Sequence, residues 1–226
     1  MHQCAALAWR GVQPSERCRL TMGMELDRLA EIVRACRICL NDPLGRPLPH
    51  EPRPVLVPSA TARVLIASQA PGTKVHLSGR PFTDASGDRL RSWLGVTSEE
   101  FYDPAKFAIV PMGFCFPGQD AKGGDLPPRR ECALAWRSQL MALMPQIDLV
   151  LTIGIYAQNW HMGAARKASL TDTVRDWRSI WAEPSERQVL PLPHPSWRNT
   201  GWLKRNPWFE MELLPFLKAQ IRDRIA

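Results

Sequence analysis

Four short apolar runs, at residues 63–67, 107–110, 148–154 and 187–192, are separated by stretches whose apolar residues recur at helical spacing. Each run is too short for a buried helix and the right length for a strand. Their apolar character is continuous and does not alternate with polar residues, which marks strands buried on both faces. Strands that alternate with helices pair in parallel, because each return crosses over through a helix. The expected fold is therefore α/β, a three-layer αβα arrangement around a central four-stranded, mainly parallel sheet.

The chain has 226 residues, enough for one domain with a substantial core. It contains no internal repeat and no low-complexity tract, so residues 24–226 are expected to form a single domain. Residues 1–23 lack a clear period, and Met22 and Met24 could each serve as a start, so this stretch is expected to be a disordered extension. A helix is expected over residues 25–38, a second after an N-cap at Ser86, a third over 134–144, and a last one opened by Asn206 as N-cap with Pro207 in the first turn. No apolar run approaches the roughly 20 residues that span a bilayer. No secretory leader pattern is visible, and the expected location is cytoplasmic. The net charge of +7 favours an acidic partner such as nucleic acid.

The candidate functional residues gather after two of the strands. The fourth run ends in His194-Pro195-Ser196, and the loop beyond it mixes cations, aromatics and small polar groups: Trp197, Arg198, Asn199, Trp202, Lys204 and Arg205. Ligand sites in open α/β sheets lie at such strand ends. Cations there can bind phosphates while aromatic rings stack on bases. The first run leads into the turn Ser68-Gln69-Ala70-Pro71-Gly72, then Gly79-Arg80-Pro81-Phe82. Gln69 can read an amide-like edge or hold a water, and Phe82 is placed where a flat ligand could stack.

Six cysteines are present: Cys4, Cys18, Cys36, Cys39, Cys115 and Cys132. In a cytoplasmic chain of this size, metal binding or simple burial is favoured over disulfides. Cys36 and Cys39 form a CxxC, and 16 residues separate Cys115 from Cys132. Cys4 and Cys18 fall in the extension and match no pattern.

The three elements Ser68–Gly72, Gly79–Phe82 and His194–Ser196, in that order and with those cysteines, resemble the uracil-DNA glycosylase superfamily, most closely its iron–sulfur-containing branch. The resemblance covers about residues 25–220. It implies a DNA glycosylase that hydrolyses the N-glycosidic bond of uracil or another damaged base in base excision repair. His194 then faces the leaving base and stabilises its charge, with Gln69 placing water or base. Ala70, Phe82 and Pro111 line the base pocket. Ser196, Lys204 and Arg205 contact phosphates, and Trp197, Arg198 and Asn199 form a wedge that enters the duplex. Cys36, Cys39, Cys115 and Cys132 would hold a [4Fe–4S] cluster tying the N-terminal helix to the loop at residues 114–132. Zinc is the rival metal and burial of free thiols the metal-free alternative. Lys122, Arg129 and Arg130 on that loop could touch phosphates. The implied partner is single- or double-stranded DNA, with no membrane association, and the expected state is a monomer.

Two departures from the family pattern bear on chemistry. Gln69 stands where the family has an acidic residue, and neutral Gln cannot act as a general base. Pro111 occupies the place of an Asn whose amide reads uracil. Two alternatives follow: a DNA-binding relative that does not cleave, and an enzyme on another nucleobase-like substrate.

Overall fold

The computed structural model describes residues 16–226, with side chains from residue 20 onward. Its centre is a four-stranded sheet of β1 (Val64–Ala67), β2 (Phe107–Ile109), β3 (Leu149–Ile153) and β4 (Gln188–Leu192), in the order β2-β1-β3-β4. Every pairing is parallel, with Val64 opposite Phe107 and Leu149, and Leu149 opposite Gln188. The expected mainly parallel sheet is thus parallel throughout. Strand order reverses direction at β1, and this switch opens a crevice beyond the carboxyl ends of the strands.

Side-chain parity divides the core into two layers. Val64 and Ile66 of β1 join Ile109, Leu149, Leu151, Ile153, Leu190 and Leu192 on one face. Leu65 and Ala67 join Ala108, Val110 and Val150 on the other. Successive strand residues point to opposite faces, and a strand covered on both must be apolar at every position. The first face is covered by α3 (Ala85–Leu94) through Leu90, Trp93 and Leu94, and by α5 (Leu214–Ile225) through Leu217 and Ile221. The second is covered by α1 (Glu16–Arg34) through Leu26, Leu29 and Val33, and by α4 (Ile155–Met162) through Ala157. A short helix α2 (Thr73–Ser78) follows the turn after β1.

The helix boundaries correct several expectations. Helix α1 begins at Glu16 and stops at Arg34, so residues 16–23 of the expected extension belong to it; Met22 packs into the core. Residues 1–15 lie outside the described part. Cys36 therefore falls in the turn after α1, and Cys39 in the short helix Ile38–Asn41. Helix α3 is capped by Asp84, whose Oδ1 accepts from the Gly87 N–H at 3.2 Å, and not by Ser86. The segment expected as a regular helix over 134–144 contains a π turn at Ala133–Arg137. A π turn shifts the register of the residues after it, and Leu134 is 73% exposed while Arg137 points inward. Asn206 does not cap the last helix. Its amide donates to the Trp202 carbonyl, and its oxygen accepts from Trp208 and Arg175. Among the described residues, no helix is long and apolar enough to cross a membrane.

Candidate active site

At the carboxyl end of the sheet lies a cavity of about 190 Å³, built from the ends of three strands. The turn after β1 contributes Ser68, Ala70, Pro71 and Gly72; the end of β2 contributes Ile109 and Pro111; the segment after β4 contributes His194, Ser196, Trp197 and Arg198. Pro81, Phe82, Asp84 and Ser86 close one side, and Asp125 reaches in from the loop between β2 and β3.

The turn after β1 is fixed by ladder-like bonds that continue past the strand ends. The Met112 N–H donates to the Ser68 carbonyl and the Gly113 N–H to the Gln69 carbonyl, both at 2.8 Å. This holds Ala70 and Pro111 on adjacent walls. The Pro111 carbonyl is held from below by Arg137, which is wholly buried. One guanidinium nitrogen donates to the carbonyls of Val110 at 3.0 Å and Pro111 at 2.9 Å. The other lies 2.5 Å from His161 Nε2. No acid pairs with Arg137 among the described residues, and burial lowers its pKa to about 9.

Phe82 forms the flat wall. Its φ of 56° lies in the left-handed region, which bulky residues seldom occupy. Its carbonyl is gripped by the Tyr102 hydroxyl at 3.0 Å and by Arg91 at 3.2 Å. Gly87 is required beside it, because a Cβ there would stand 1.8 Å from the Phe82 oxygen. The Phe82 ring packs edge-on against Phe101, with centroids 5.9 Å apart. A strained residue held by several independent contacts marks a position set for function.

His194 is half-buried in the cavity wall. The Asn199 amide donates to its carbonyl at 2.7 Å, fixing the backbone from five residues downstream. Burial pushes the imidazole pKa below its ordinary value, opposed in part by the nearby carboxylates of Asp84 and Asp125. This favours the neutral ring, which has one N–H to donate. The Ser196 hydroxyl accepts from the Arg198 N–H at 3.3 Å, starting the turn Trp197–Asn199. Arg89 ties this loop to α3 by donating to the Ser196 carbonyl at 2.9 Å and the Thr200 hydroxyl at 3.3 Å. Trp197 stands 71% exposed at the rim. The Arg198 guanidinium carbon lies 5.5 Å from the Trp197 ring centre, and one of its nitrogens donates to the Gly123 carbonyl.

The cavity thus brings together Ala70, Phe82, Pro111, His194, Ser196, Trp197 and Arg198 of the residues expected from sequence. Gln69, Asn199, Lys204 and Arg205 do not line it. Gln69 lies over the β1–β3 junction, where a Cβ on Gly154 would meet its side chain at 3.1 Å. Lys204 borders a neighbouring groove with Arg89 and Lys218. Arg129 is not free for a phosphate: it pairs with the buried Glu131 at 2.5 Å and donates to the Arg46 carbonyl at 2.8 Å. Sequence reading gave no role to Asp125 or Arg137.

The thiols of Cys36, Cys39, Cys115 and Cys132 are free, and all but Cys36 are buried. Cys39 shares a hydrogen bond with Cys132, which lowers its own pKa to about 7 and raises that of Cys132. Burial pushes the Cys115 thiol up to about 12. The Trp136 ring N–H lies 3.3 Å from the Cys36 sulfur, and the Phe114 N–H 3.4 Å from the Cys132 sulfur. The donor chemistry suits a four-thiolate site with N–H groups directed at the sulfurs. Among the described residues, however, no three His, Cys, Asp or Glu side chains converge closely enough to hold a metal ion.

A parallel sheet with a half-buried histidine beyond its last strand and a cavity beyond its first defines an α/β protein with a strand-end ligand site. The sequence matches the Uracil DNA glycosylase superfamily over residues 54–218, most of its length, and the chain belongs to that superfamily.

Proposed function

We propose that this protein is a DNA glycosylase that hydrolyses the N-glycosidic bond of a base drawn out of DNA into the cavity at His194. The observation that carries this reading is the His194 imidazole, which shares one cavity with Phe82 beside an exposed Trp197–Arg198 pair. Extrusion of a base costs a few kcal/mol, least for a damaged or mismatched one. Trp197 can stack in the gap left behind, and Arg198 can neutralise a phosphate. Phe82 gives the extruded base a face to stack on. As the glycosidic bond stretches, positive charge grows on the sugar and negative charge on the base. The His194 N–H, carried on a backbone held by Asn199, stabilises the negative charge, and donors placed where charge develops are worth several kcal/mol.

The identity of the base is left broader than uracil. Pro111 supplies no side-chain amide, and the polar lining is Ser68, Asp84, Ser86, Asp125, His194, Ser196 and Arg198. A second reading, a member that grips DNA without cleaving it, is favoured by Gln69, which lies outside the cavity. A panel of oligonucleotides carrying uracil and other modified bases, single- and double-stranded, separates the two. Base release supports the glycosylase. Salt-sensitive binding without release supports the second reading.

We also infer that Cys36, Cys39, Cys115 and Cys132 hold a [4Fe–4S] cluster, with zinc as the alternative occupant. The four-thiolate donor set and the Trp136 and Phe114 N–H groups support it. When bound, the group would supply structure and no bond-breaking chemistry, fastening the end of α1 to the loop at residues 114–132. Ligation displaces the thiol protons, so it is disfavoured in acid.

A further inference from the structure

We propose that Asp125 is the carboxylate that orients and deprotonates the attacking water, a role that Gln69 cannot fill. This rests on the glycosylase reading above. Three independent features of the structure lead to Asp125.

The first is position. Asp125 lines the same cavity as His194, and its Oδ2 lies against the turn after β1, 3.3 Å from where a Cβ on Gly72 would stand. A side chain at residue 72 would press on that oxygen; glycine leaves it room. The second is preorganisation. Oδ1 accepts from the Gln119 amide at 3.2 Å, and residues 119 and 125 form an antiparallel bridge. Between them, Asp120 accepts from the N–H groups of Lys122 and Gly124, both at 2.8 Å, and closes the loop. Arg198 ties the same loop to the segment that carries His194. A loop so fastened holds a side chain in place without a helix or strand beneath it.

The third is availability. Oδ2 of Asp125 has no hydrogen-bond partner among the described residues. Asp84, the other carboxylate of the cavity, has Oδ1 committed to the N-cap of α3 and stands as the structural one of the pair. Both carboxylates act on His194 electrostatically. A negative group beside the sugar also stabilises the positive charge that develops there.

The step balances without any further reactant. The bond from C1′ to the base nitrogen breaks, and its electron pair leaves on the base, where His194 stabilises it. The water oxygen forms the new bond to C1′ and gives its proton to Asp125 Oδ2. The base anion takes a proton from solvent, and Asp125 returns its own to solvent.

The test compares wild type, Asp125→Asn, Asp125→Ala and Asp84→Asn in single-turnover base release, on whichever oligonucleotide of the panel the wild type cleaves best. Binding to an abasic-product duplex and the melting curve are measured in parallel. Both Asp125 variants are expected to slow release by about 10²–10⁴-fold, with product binding and melting unchanged. Added sodium formate should restore part of the rate to Asp125→Ala. Asp125 variants as fast as wild type overturn the proposal while leaving the glycosylase reading intact. So does a rate loss matched by an equal loss of product binding. A wild-type chain that releases no base from any substrate overturns both.

Discussion

The guanidinium of Arg137 donates to the carbonyl oxygen of Pro111 at 2.9 Å, from a position wholly shielded from solvent. Pro111 lines the cavity, so a buried cation beneath the sheet end sets the position of one wall of the site. Replacing Arg137 with Met keeps the bulk and removes the donors, leaving the Val110 and Pro111 carbonyls buried without their partner. The expected cost is about 2–5 kcal/mol of stability, read by urea unfolding.

The same residue makes stability depend on pH. A guanidinium can only donate, so His161 Nε2, 2.5 Å from Arg137, must present its lone pair and the ring must be neutral. Burial, Arg137 and Arg187 together hold the His161 pKa well below its ordinary value. A depressed folded value means stability that is full above the unfolded imidazole pKa of about 6.5 and lost as pH falls below it. Burial shifts His194 in the same direction. The melting temperature is expected to fall between pH 7.5 and 5. The slope contributed by each group is at most about 1.4 kcal/mol per pH unit. His161→Gln, which can still accept from Arg137, should flatten the curve.

Gly87 and Phe82 form a second rigid unit. A methyl group at residue 87 would stand 1.8 Å from the Phe82 carbonyl oxygen, and Phe82 already holds a left-handed backbone. Gly87→Ala is therefore expected to be costly, although alanine normally favours a helix by about 1 kcal/mol over glycine. Melting and base release should both fall. A stabilised, active Gly87→Ala would show that the Phe82 wall is not held as described.

The sheet was legible because burial on both faces leaves an apolar run with no competing pattern, and residues 63–67 and 148–154 read as strands for that reason. His194 was legible from its place after such a run. The helix details were not. Asp84 and Ser86 are both good caps, and only the reach of Asp84 to the Gly87 N–H decides between them. The π turn at Ala133–Arg137 rotates Leu134 outward and Arg137 inward, against the helical period. Asp125 comes from a glycine-rich loop with no local signal, and its role depends on contacts with Gly72 and Gln119 that arise only on folding.

The cysteines give a prediction separate from catalysis. Protein purified without oxygen is expected to be brown and to carry iron and sulfide. Cys39→Ser and Cys132→Ser should lose the colour and melt at lower temperature. A colourless chain with one zinc per molecule would replace the cluster with zinc, and a chain with neither would remove the metal altogether.

Single-turnover base release by wild type and His194→Ala across the modified-base panel decides whether the His194 imidazole stabilises the leaving base. Release by the wild type from at least one substrate is expected, with a loss of about 10²–10³-fold in His194→Ala while melting and DNA binding hold. Equal rates for the two proteins, or no release by the wild type from any substrate, would contradict that role.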